Sequence, residues 1–404
     1  MVQEWSRRKL REICDIIAGQ APPSKYYNEE GKGIPFLTVN SFGRIYPKIE
    51  RWTTKCLKES KEGDVLFSVA GSLGLVNLGI NACITRSIFA LRPNQNLVLQ
   101  KFLFYALKKY GSQIASMGGG TAQKVITINQ ISEFEIPLPP LPIQQKIVQI
   151  LDNIQEAIDI QDKIIEKTKE LKKSLMAELF KYGGPSFRKG RNLKQTEIGE
   201  IPEDWEVVRL GEIAEVVRGG SPRPKGDPRY FSKKPTGIHW ITIADITKYK
   251  MGQYIVNTDE YVTKEAIKKS RYLEKGTLVL TNSGTVGIPA ILGINGCIHD
   301  GLLALLNLKR TDLMYLYYYL DFTKQIFQQI APKGTQANLN TIIVGNFKIP
   351  RPPLPEQQEI AEILQTVDKK IEIERRKKEL YEELFKTVLN KIMNQEIDVE
   401  SLDF

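Results

Sequence analysis

The stretch FEIPLPPLPIQQKIVQIL occupies residues 134–151, and the stretch FKIPRPPLPEQQEIAEIL occupies residues 347–364. Twelve of the eighteen aligned positions are identical at a constant offset of 213 residues. Proline is tolerated in the first turn of a helix because its missing N–H would have no partner there. Pro142 and Pro355 therefore predict helix starts, and the chain contains the same helix opening twice.

The match between the two halves extends well beyond these openings. GDVLFSVAGSLG at 63–74 corresponds to GTLVLTNSGTVG at 276–287, and GINACI at 79–84 corresponds to GINGCI at 293–298. Short apolar runs separated by glycine and proline predict strands in both halves. A repeat of this length predicts two similar domains, each with its own mixture of strands and helices.

Each proline-rich opening leads into a long helical pattern. Its apolar residues alternate at spacings of four and three, as in a coiled-coil seam. A seam needs a partner, and the first helix leads directly into the second domain. The simplest packing is therefore an antiparallel pair in which the numbers of facing residues sum to about 535. The predicted seam residues are Ile147, Ile150, Ile154, Ile164, Leu171 and Leu175 in the first helix and Ile360, Ile363, Val367, Ile371, Tyr381 and Val388 in the second.

The predicted fold class is α+β. It consists of two tandem mixed α/β domains separated by a long antiparallel two-helix coiled coil, with pseudo-twofold symmetry. The expected boundaries are a first domain at 1–140, a first long helix at 141–182, an extended linker at 183–204, a second domain at 205–353, a second long helix at 354–393 and an acidic tail at 394–404.

The composition is that of a soluble globular protein, with 42% hydrophobic and 26% charged residues. No apolar run approaches the roughly 18 residues that a membrane span requires, and a cytoplasmic location is expected. The net charge of +10 favours a polyanionic partner, because basic residues that neutralise phosphates release condensed counterions. A basic surface that serves only solubility is an equally good interpretation of the charge alone.

The cysteines and histidines predict neither a zinc site nor a disulfide framework. The four cysteines lie far apart without a CxxC pair, and the chain has only two histidines. Cys83 and Cys297 align with each other and are interpreted as small buried apolar residues.

No catalytic centre is predicted. The sequence contains no phosphate-binding loop, no HExxH, no GxSxG elbow and no Asn-Pro-Pro-aromatic motif. The glycine clusters at 116–123 and 217–226 lack the spacing of a dinucleotide fingerprint, so they are interpreted as turns. No metal site and no cofactor are expected in this chain.

Side chains suited to gripping a DNA duplex are common in the loops that follow predicted strands. Lysine and arginine contact phosphates, whereas arginine, asparagine, glutamine and threonine also bond to base edges. Any one of these residues is as readily explained as a solvated surface side chain, so the prediction rests on the set. The candidate DNA-binding residues are Lys25, Tyr26, Asn40, Arg44, Ser72, Arg86, Gln123 and Lys124 in the first half and Arg218, Arg223, Lys225, Arg229, Lys248, Asn282, Thr285, His299, Lys333, Gln336 and Asn338 in the second.

The whole chain resembles the specificity subunits of type I restriction-modification enzymes. The resemblance rests on the two-fold repeat, on the paired proline-rich openings, and on TEIGEIPEDWEVVRLGEIAEVVRGGSP at 196–222. The last stretch looks like the start of a target recognition domain of that family. The first domain departs from the pattern, because it lacks a full copy of IGEIPEDW and begins almost at Trp5.

The resemblance implies two target recognition domains that each read one half of a bipartite DNA site, with the helices as a ruler between them. It also implies that this chain performs no chemistry. Two modification subunits would carry S-adenosylmethionine and methylate adenine, and restriction subunits would use ATP and Mg²⁺.

Three other interpretations remain open at this point. The chain could be the specificity subunit of a related enzyme that cuts on both sides of its site. It could be a stand-alone nuclease or methyltransferase with an unfamiliar active site, or a scaffold that binds only proteins.

Overall fold

The computed structural model describes residues 5–119, 124–232, 237–331 and 338–402. The chain divides into two compact units. The first unit comprises Met1–Asp162 together with Lys377–Phe404, and the second comprises Lys163–Arg376. Each unit is α+β, which confirms the predicted fold class.

The first unit contains two main antiparallel or mixed sheets and a short pair of strands. The four-stranded sheet has the order Cys14–Ala18, Ile88–Pro93, Val65–Ser68 and Val76–Leu78. The five-stranded sheet has the order Tyr27–Asn28, Trp52–Thr53, Ile34–Leu37, Ala82–Ile84 and Glu59–Ser60. The strand Ser6–Lys9 pairs with Glu135–Leu138. The shorter helices are Leu10–Ile13, Gln100–Ser116 and Ile128–Ser132, and the 3-10 turns are Ser24–Tyr26 and Val39–Ser41.

The second unit repeats this arrangement. Its larger sheet has the order Glu215–Arg218, Leu302–Leu306, Leu278–Thr281, Pro289–Leu292, Tyr254–Ile255 and Lys250–Met251. The other main sheet has the order Phe231–Ser232, Glu260–Val262, Ile238–Ile241, Gly296–Ile298 and Arg271–Leu273. The second unit also has two strand pairs, Leu193–Thr196 with Gly199–Pro202 and Glu206–Arg209 with Lys348–Arg351. Its shorter helices are Leu210–Ile213, Ile243–Lys248, Leu313–Phe322, Lys324–Ile330 and Thr341–Gly345. Its 3-10 turns are Pro185–Phe187 and Lys264–Lys269.

Two long helices follow the proline-rich openings. The first spans Leu141–Tyr182 and the second spans Leu354–Met393. Each helix contributes one part to each unit, because the units divide after Asp162 and after Arg376. No helix in the described segments has the length and the apolar character of a membrane span.

Within each unit the two helices run antiparallel, as predicted. In the first unit the N-terminal part of the first helix shares a core with the C-terminal part of the second, and Lys378 forms an ion pair with Asp162 at 2.5 Å. In the second unit Lys172 forms an ion pair with Asp368 at 2.7 Å. The residue numbers of both ion pairs add up to 540, so the predicted sum of about 535 is wrong by about one helical turn.

The buried face of the helices is wider than the predicted seam. Each helix packs on its own globular domain as well as on the other helix, so apolar residues beside the seam are also covered. Leu171 is not part of the packed face, since it is 52% exposed. Of the other predicted seam residues, Ile147, Ile360 and Ile371 are buried, and Ile150, Ile154, Ile164, Leu175, Ile363, Val367, Tyr381 and Val388 are partly buried; buried positions outside the predicted seam include Leu151, Ile158, Ile165, Met176, Leu179, Leu364, Phe385 and Leu389.

The segment 183–204 is folded rather than extended, which corrects the prediction of an extended linker. It contains the hairpin Leu193–Thr196 and Gly199–Pro202. The reason lies in the buried carboxylate of Glu356, which needs donors to offset its desolvation. Arg191 Nη2 donates to Glu356 at 2.8 Å, Trp205 Nε1 donates at 2.9 Å and the Gly184 N–H donates at 3.0 Å.

The first unit contains a disulfide between Cys56 and Cys83, which the sequence did not predict. Strand Glu59–Ser60 pairs with strand Ala82–Ile84, and this pairing brings the two cysteine Cα atoms to 5.5 Å. Cys83 is therefore buried but not a free apolar residue, in contrast to the prediction. Cys297, its counterpart in the second unit, is a free and buried cysteine.

The helix packing yields a direct test. Leu179 is 1% exposed and Leu171 is 52% exposed, and both lie in the part of the first long helix that belongs to the second unit. Leu179→Ala should lower the free energy of unfolding by about 2–5 kcal/mol, because it leaves a cavity in a packed core. The matched control Leu171→Ala should change it by about 0.5 kcal/mol or less. Urea titration of the full chain measures the free energy of unfolding of both variants. A larger effect at Leu171 than at Leu179 would show that the predicted heptad seam is the packed face.

Candidate nucleic-acid interface

One edge of the five-stranded sheet organises the candidate residues of the first unit. Ile34–Leu37 and Ala82–Ile84 are parallel strands, with Leu37 beside Ile84. Their carboxyl ends therefore meet at the same edge, and the Thr85 N–H donates to the Leu37 carbonyl at 3.2 Å. The segment after the first strand carries Asn40, and the turn after the second strand carries Arg86. We call the four-residue turn 85–88 the first reading turn.

A third chain segment joins this edge through Gly19. The Gly19 N–H donates to the Ile88 carbonyl at 3.0 Å. A Cβ atom at Gly19 would lie 2.2 Å from the Thr85 carbonyl oxygen, which no side chain tolerates. The residue must therefore be glycine. The loop that follows Gly19 in the chain carries Lys25 and Tyr26.

The side chains on this edge of the first unit are open to solvent. Lys25, Asn40 and Arg86 are exposed, and Tyr26 is half-buried with the Lys25 ammonium 5.2 Å from its ring centre. Arg86 has no ion-pair partner among the residues that the structure describes. Such a set combines donors for phosphates and base edges with an aromatic face.

The loop that carries Ser72 lies against the first reading turn. The Val69 N–H donates to the Ser87 carbonyl at 2.8 Å, and the Ile126 N–H donates to the Val69 carbonyl at 2.9 Å. These bonds place exposed Ser72 and exposed Lys124 on segments next to the turn. Predicted residues far apart in sequence are thus brought to one side of the first unit.

The second unit has the same edge. Its parallel strands are Ile238–Ile241 and Gly296–Ile298, with Ile241 beside Ile298. The His299 N–H donates to the Ile241 carbonyl at 2.9 Å, and the Gly219 N–H donates to the Leu302 carbonyl at 2.9 Å. A Cβ atom at Gly219 would lie 2.2 Å from the His299 carbonyl oxygen. We call residues 299–302 the second reading turn.

A cavity of about 930 Å³ opens beside the second reading turn. Its aromatic wall consists of Phe231 and Trp240, whose ring centres are 5.9 Å apart. Arg223 and Lys225 are exposed and line the cavity, as does His299. Three of the predicted DNA-binding residues therefore converge on one concave site.

Other predicted residues of the second unit support the turn or lie beside it. Arg218 Nε donates to the Asp300 carbonyl at 2.8 Å, and Asn282 Nδ2 donates to the same oxygen at 3.1 Å. Asn282 is fully buried, which leaves it no surface for a base contact. Thr285 and Asn338 are exposed on neighbouring segments, since Ser283 forms a bridge with Asn338.

Three predicted residues are engaged in ion pairs. Arg44 bonds to Asp159 at 3.0 Å, to Asp162 at 2.9 Å and to Glu382 at 3.3 Å, so its guanidinium is held on the two long helices. Arg229 is paired with Asp227 and Lys248 with Asp259, each at 2.7 Å. Gln123, Lys333 and Gln336 lie outside the described residues.

Sequence reasoning missed Phe231, Trp240 and Asp300. The two aromatic residues occur in strands and carry no basic or amide group that would have singled them out. Asp300 was not among the predicted DNA-binding residues, although an alignment of 85–88 with 299–302 places it opposite Arg86. Charge reversal at equivalent turn positions is the signal that would have found it.

His299 lines the cavity and is half-buried. Burial lowers its pKa; the charge of Asp300 opposes this effect, and the charges of Lys225 and Arg218 add to it. The Gly301 N–H donates to His299 Nδ1 at 2.8 Å, so the ring proton resides on Nε2. Within the described parts of the chain, no group of His, Cys, Asp or Glu side chains is arranged to hold a metal ion.

Comparison with known proteins shows the same family in sequence and fold. A family model described as type I restriction modification DNA specificity domain matches residues 2–170 and 202–383. The type I restriction enzyme MjaVIII specificity subunit of Methanocaldococcus jannaschii is 27% identical over 417 residues, covering 100% of this chain and 95% of the relative. The EcoR124I/EcoR124II specificity subunit of Escherichia coli is 25% identical over 284 residues, covering 68% of this chain and 65% of the relative.

Two solved structures share the fold at low sequence identity. A chain from a structural study of complex assembly and conformational transition of the type I R-M system has a TM-score of 0.65 at 18% identity, covering 96% of this chain and 97% of that one. The type I restriction-modification S subunit from M. genitalium has a TM-score of 0.56 at 18% identity, covering 96% and 95%.

The different surroundings of two basic residues in the first unit lead to opposite expectations. Arg44→Ala should lower the free energy of unfolding by about 1 kcal/mol, because partly exposed ion pairs contribute little each, and should leave DNA affinity unchanged. Lys25→Ala should leave stability unchanged and should weaken DNA binding, lowering the slope of log affinity against log salt by about one. Urea titration and DNA titration at several salt concentrations measure these effects. A loss of DNA affinity in the Arg44 variant without a loss of stability would return Arg44 to the DNA interface.

Proposed function

The chain belongs to the type I restriction-modification DNA specificity family, as a specificity subunit with a DNA-recognition role, and we propose that each of its two units reads one half of a bipartite DNA site. The loops around the first reading turn would contact one half-site. The cavity and the loops around the second reading turn would contact the other.

The main support for this proposal is that the same backbone arrangement, which we call the frame, occurs in both units with different side chains. Both reading turns are held by a parallel strand pair and by a glycine that approaches a carbonyl oxygen. The side chains on the frames differ, with exposed Arg86 on the first and half-buried Asp300 on the second. A constant frame with variable side chains is suited to reading two different base sequences in the same way.

We assign the long helices two roles, which are to set the unspecified spacer between the half-sites and to bind two modification subunits. Their lengths are 42 and 40 residues, and their antiparallel packing within each unit supports a stiff element. Leu380 and Leu384 lie four residues apart in the part of the second helix that belongs to the first unit, and they are 49% and 44% exposed. Neighbouring apolar side chains that face water support a protein partner on that helix face.

We place the chemistry in other chains. S-adenosylmethionine would be bound by the modification subunits, and ATP and Mg²⁺ by restriction subunits. Double-stranded DNA, the modification subunits and the restriction subunits are the proposed partners. This chain would supply recognition only.

Reconstitution with and without the modification subunits tests this division of labour. The isolated chain, incubated with DNA, Mg²⁺ and S-adenosylmethionine, should show neither methyl transfer nor cleavage. Addition of the modification subunits should produce adenine methylation at a single two-part site, which sequencing of methylated bases detects. Turnover by the isolated chain would show that it is an enzyme, and methylation without a two-part site would exclude the bipartite reading.

The ruler role predicts the effect of longer helices. Insertion of one heptad into each long helix should lengthen the spacer by roughly 10.5 Å, or about three base pairs, because each helical residue adds about 1.5 Å. The half-site sequences should not change, and a heptad preserves which residues face inward. A map of methylated sites for the reconstituted variant measures the spacer. An unchanged spacer in a folded variant would refute the ruler role.

A further inference from the structure

The reading turns carry side chains of opposite hydrogen-bonding character at the same position. Arg86 is the second residue of the first reading turn, and Asp300 is the second residue of the second reading turn. A guanidinium only donates hydrogen bonds, whereas a carboxylate only accepts them. The two positions therefore select opposite groups on any ligand.

The equivalence of these positions follows from the backbone bonds around them. In the first turn the Ile88 N–H donates to the Thr85 carbonyl at 2.9 Å, and in the second the Leu302 N–H donates to the His299 carbonyl at 3.0 Å. The carbonyl of the third turn residue accepts from Val69 at 2.8 Å in one unit and from Asn282 at 3.0 Å in the other. The same frame thus presents Arg86 and Asp300 in the same way.

Asp300 is oriented by a hydrogen bond from Ser221 to one of its oxygen atoms. Its Oδ1 accepts from Ser221 Oγ at 2.7 Å and lies 3.1 Å from His299 Nε2, which carries the ring proton. Oδ2 has no hydrogen-bond partner in the part of the chain that the structure describes. Because Asp300 lines the cavity and its side chain is 33% exposed, one fixed acceptor is left for a ligand.

The surroundings of Asp300 fit the edge of a base in duplex DNA. Arg223 and Lys225 line the same cavity and can neutralise phosphates on either side of a base pair. Their positive charges offset the repulsion between an aspartate and the DNA backbone. Trp240 and Phe231 supply an apolar wall at which a base-pair edge can lose its water.

We propose that Asp300 reads the amino group of a cytosine and that Arg86 reads a guanine in the other half-site; this rests on the proposed function of the chain. In the major groove cytosine presents the N4 amino donor, which a carboxylate accepts. Adenine also presents an amino group, but its N7 acceptor lies beside that group and repels the negative charge of the carboxylate. Guanine presents two acceptors, O6 and N7, which match the paired donors of Arg86.

Two amide substitutions test the assignment in the reconstituted complex with its modification subunits. Asp300→Asn should change one position of one half-site from cytosine to a base that presents an acceptor, guanine or thymine, because the amide oxygen keeps the Ser221 hydrogen bond and the amide NH2 replaces the free acceptor. Arg86→Gln should change one position of the other half-site from guanine to adenine. The expected preference of the wild-type complex for its own base over the base that the variant selects is roughly 5- to 150-fold at each position. Methylated-site maps and competition between DNA duplexes measure both.

Matched controls make the same chemical change away from the reading turns. Glu274→Gln neutralises an exposed carboxylate of the second unit, and Arg8→Gln removes an exposed guanidinium of the first. Both variants should retain the wild-type map. Ser221→Ala removes one donor to Asp300 and should relax the choice of base at the Asp300 position alone, which keeps the test valid if Asp300→Asn fails to fold.

The outcomes separate this inference from the function beneath it. A two-part wild-type site that is unchanged by Asp300→Asn, Ser221→Ala and Arg86→Gln would overturn the inference and leave the proposed function standing. A change at a position where the wild-type complex prefers adenine, guanine or thymine would overturn the cytosine assignment. Absence of any two-part site for the wild-type complex would overturn both.

Discussion

The candidate DNA-binding edge of each unit depends on the close approach of a glycine to a carbonyl oxygen. At Gly19 and at Gly219 a side chain would collide with the reading turn 2.2 Å away. The approach lets three backbone segments share hydrogen bonds in both units. In the second unit the side chains of Arg218 and His299 add hydrogen bonds to the turn. Arg86 is not needed to hold the first turn, because the backbone bonds already do so. The same backbone arrangement can therefore carry different side chains in the two units.

The long helices stabilise this arrangement because, within each unit, they share a hydrophobic core with the globular domain. In the second unit the Asp368 carboxylate accepts from Tyr318 Oη at 2.8 Å and from Gln253 Nε2 at 2.6 Å, and it also pairs with Lys172. It thereby joins both helices to the recognition domain. In the first unit the linking residue belongs to the domain instead of a helix. Arg44 extends from the domain and bonds to carboxylates of both long helices. Charged groups that look like surface residues in the sequence thus fix the domains to the helices.

Much of the architecture was predictable because it depends on patterns that repeat. Pro142 and Pro355 lie in the first turns of long helices, and apolar runs such as 65–68 and 278–281 form the expected strands. The register of the helix pair was not predictable from apolar spacing, which is nearly unchanged by a shift of one turn. The ion pair between Lys378 and Asp162 distinguishes the registers, but charges are too frequent on these helices to identify their partners from sequence.

The remaining misses also depend on contacts between distant residues. Segment 183–204 has the composition of a linker, and its order comes from Glu356, whose burial no local pattern reveals. The pairing of Cys56 with Cys83 follows from sheet register, as does the juxtaposition of Trp240 and Asp300. At the recognition edge the sequence identified basic and amide residues by type. It could not distinguish Arg86, which is exposed on a turn, from Arg44, which is held by three carboxylates.

The exposed side chains of Leu380 and Leu384 have a practical consequence for handling the chain. Leucine side chains that neighbour each other on one helix face promote self-association when nothing else covers them. The tendency of the chain to self-associate therefore depends on whether a partner protein covers these side chains. Co-expression with a partner protein therefore suits this chain better than purification of the chain alone, because its second long helix leaves these side chains exposed to solvent.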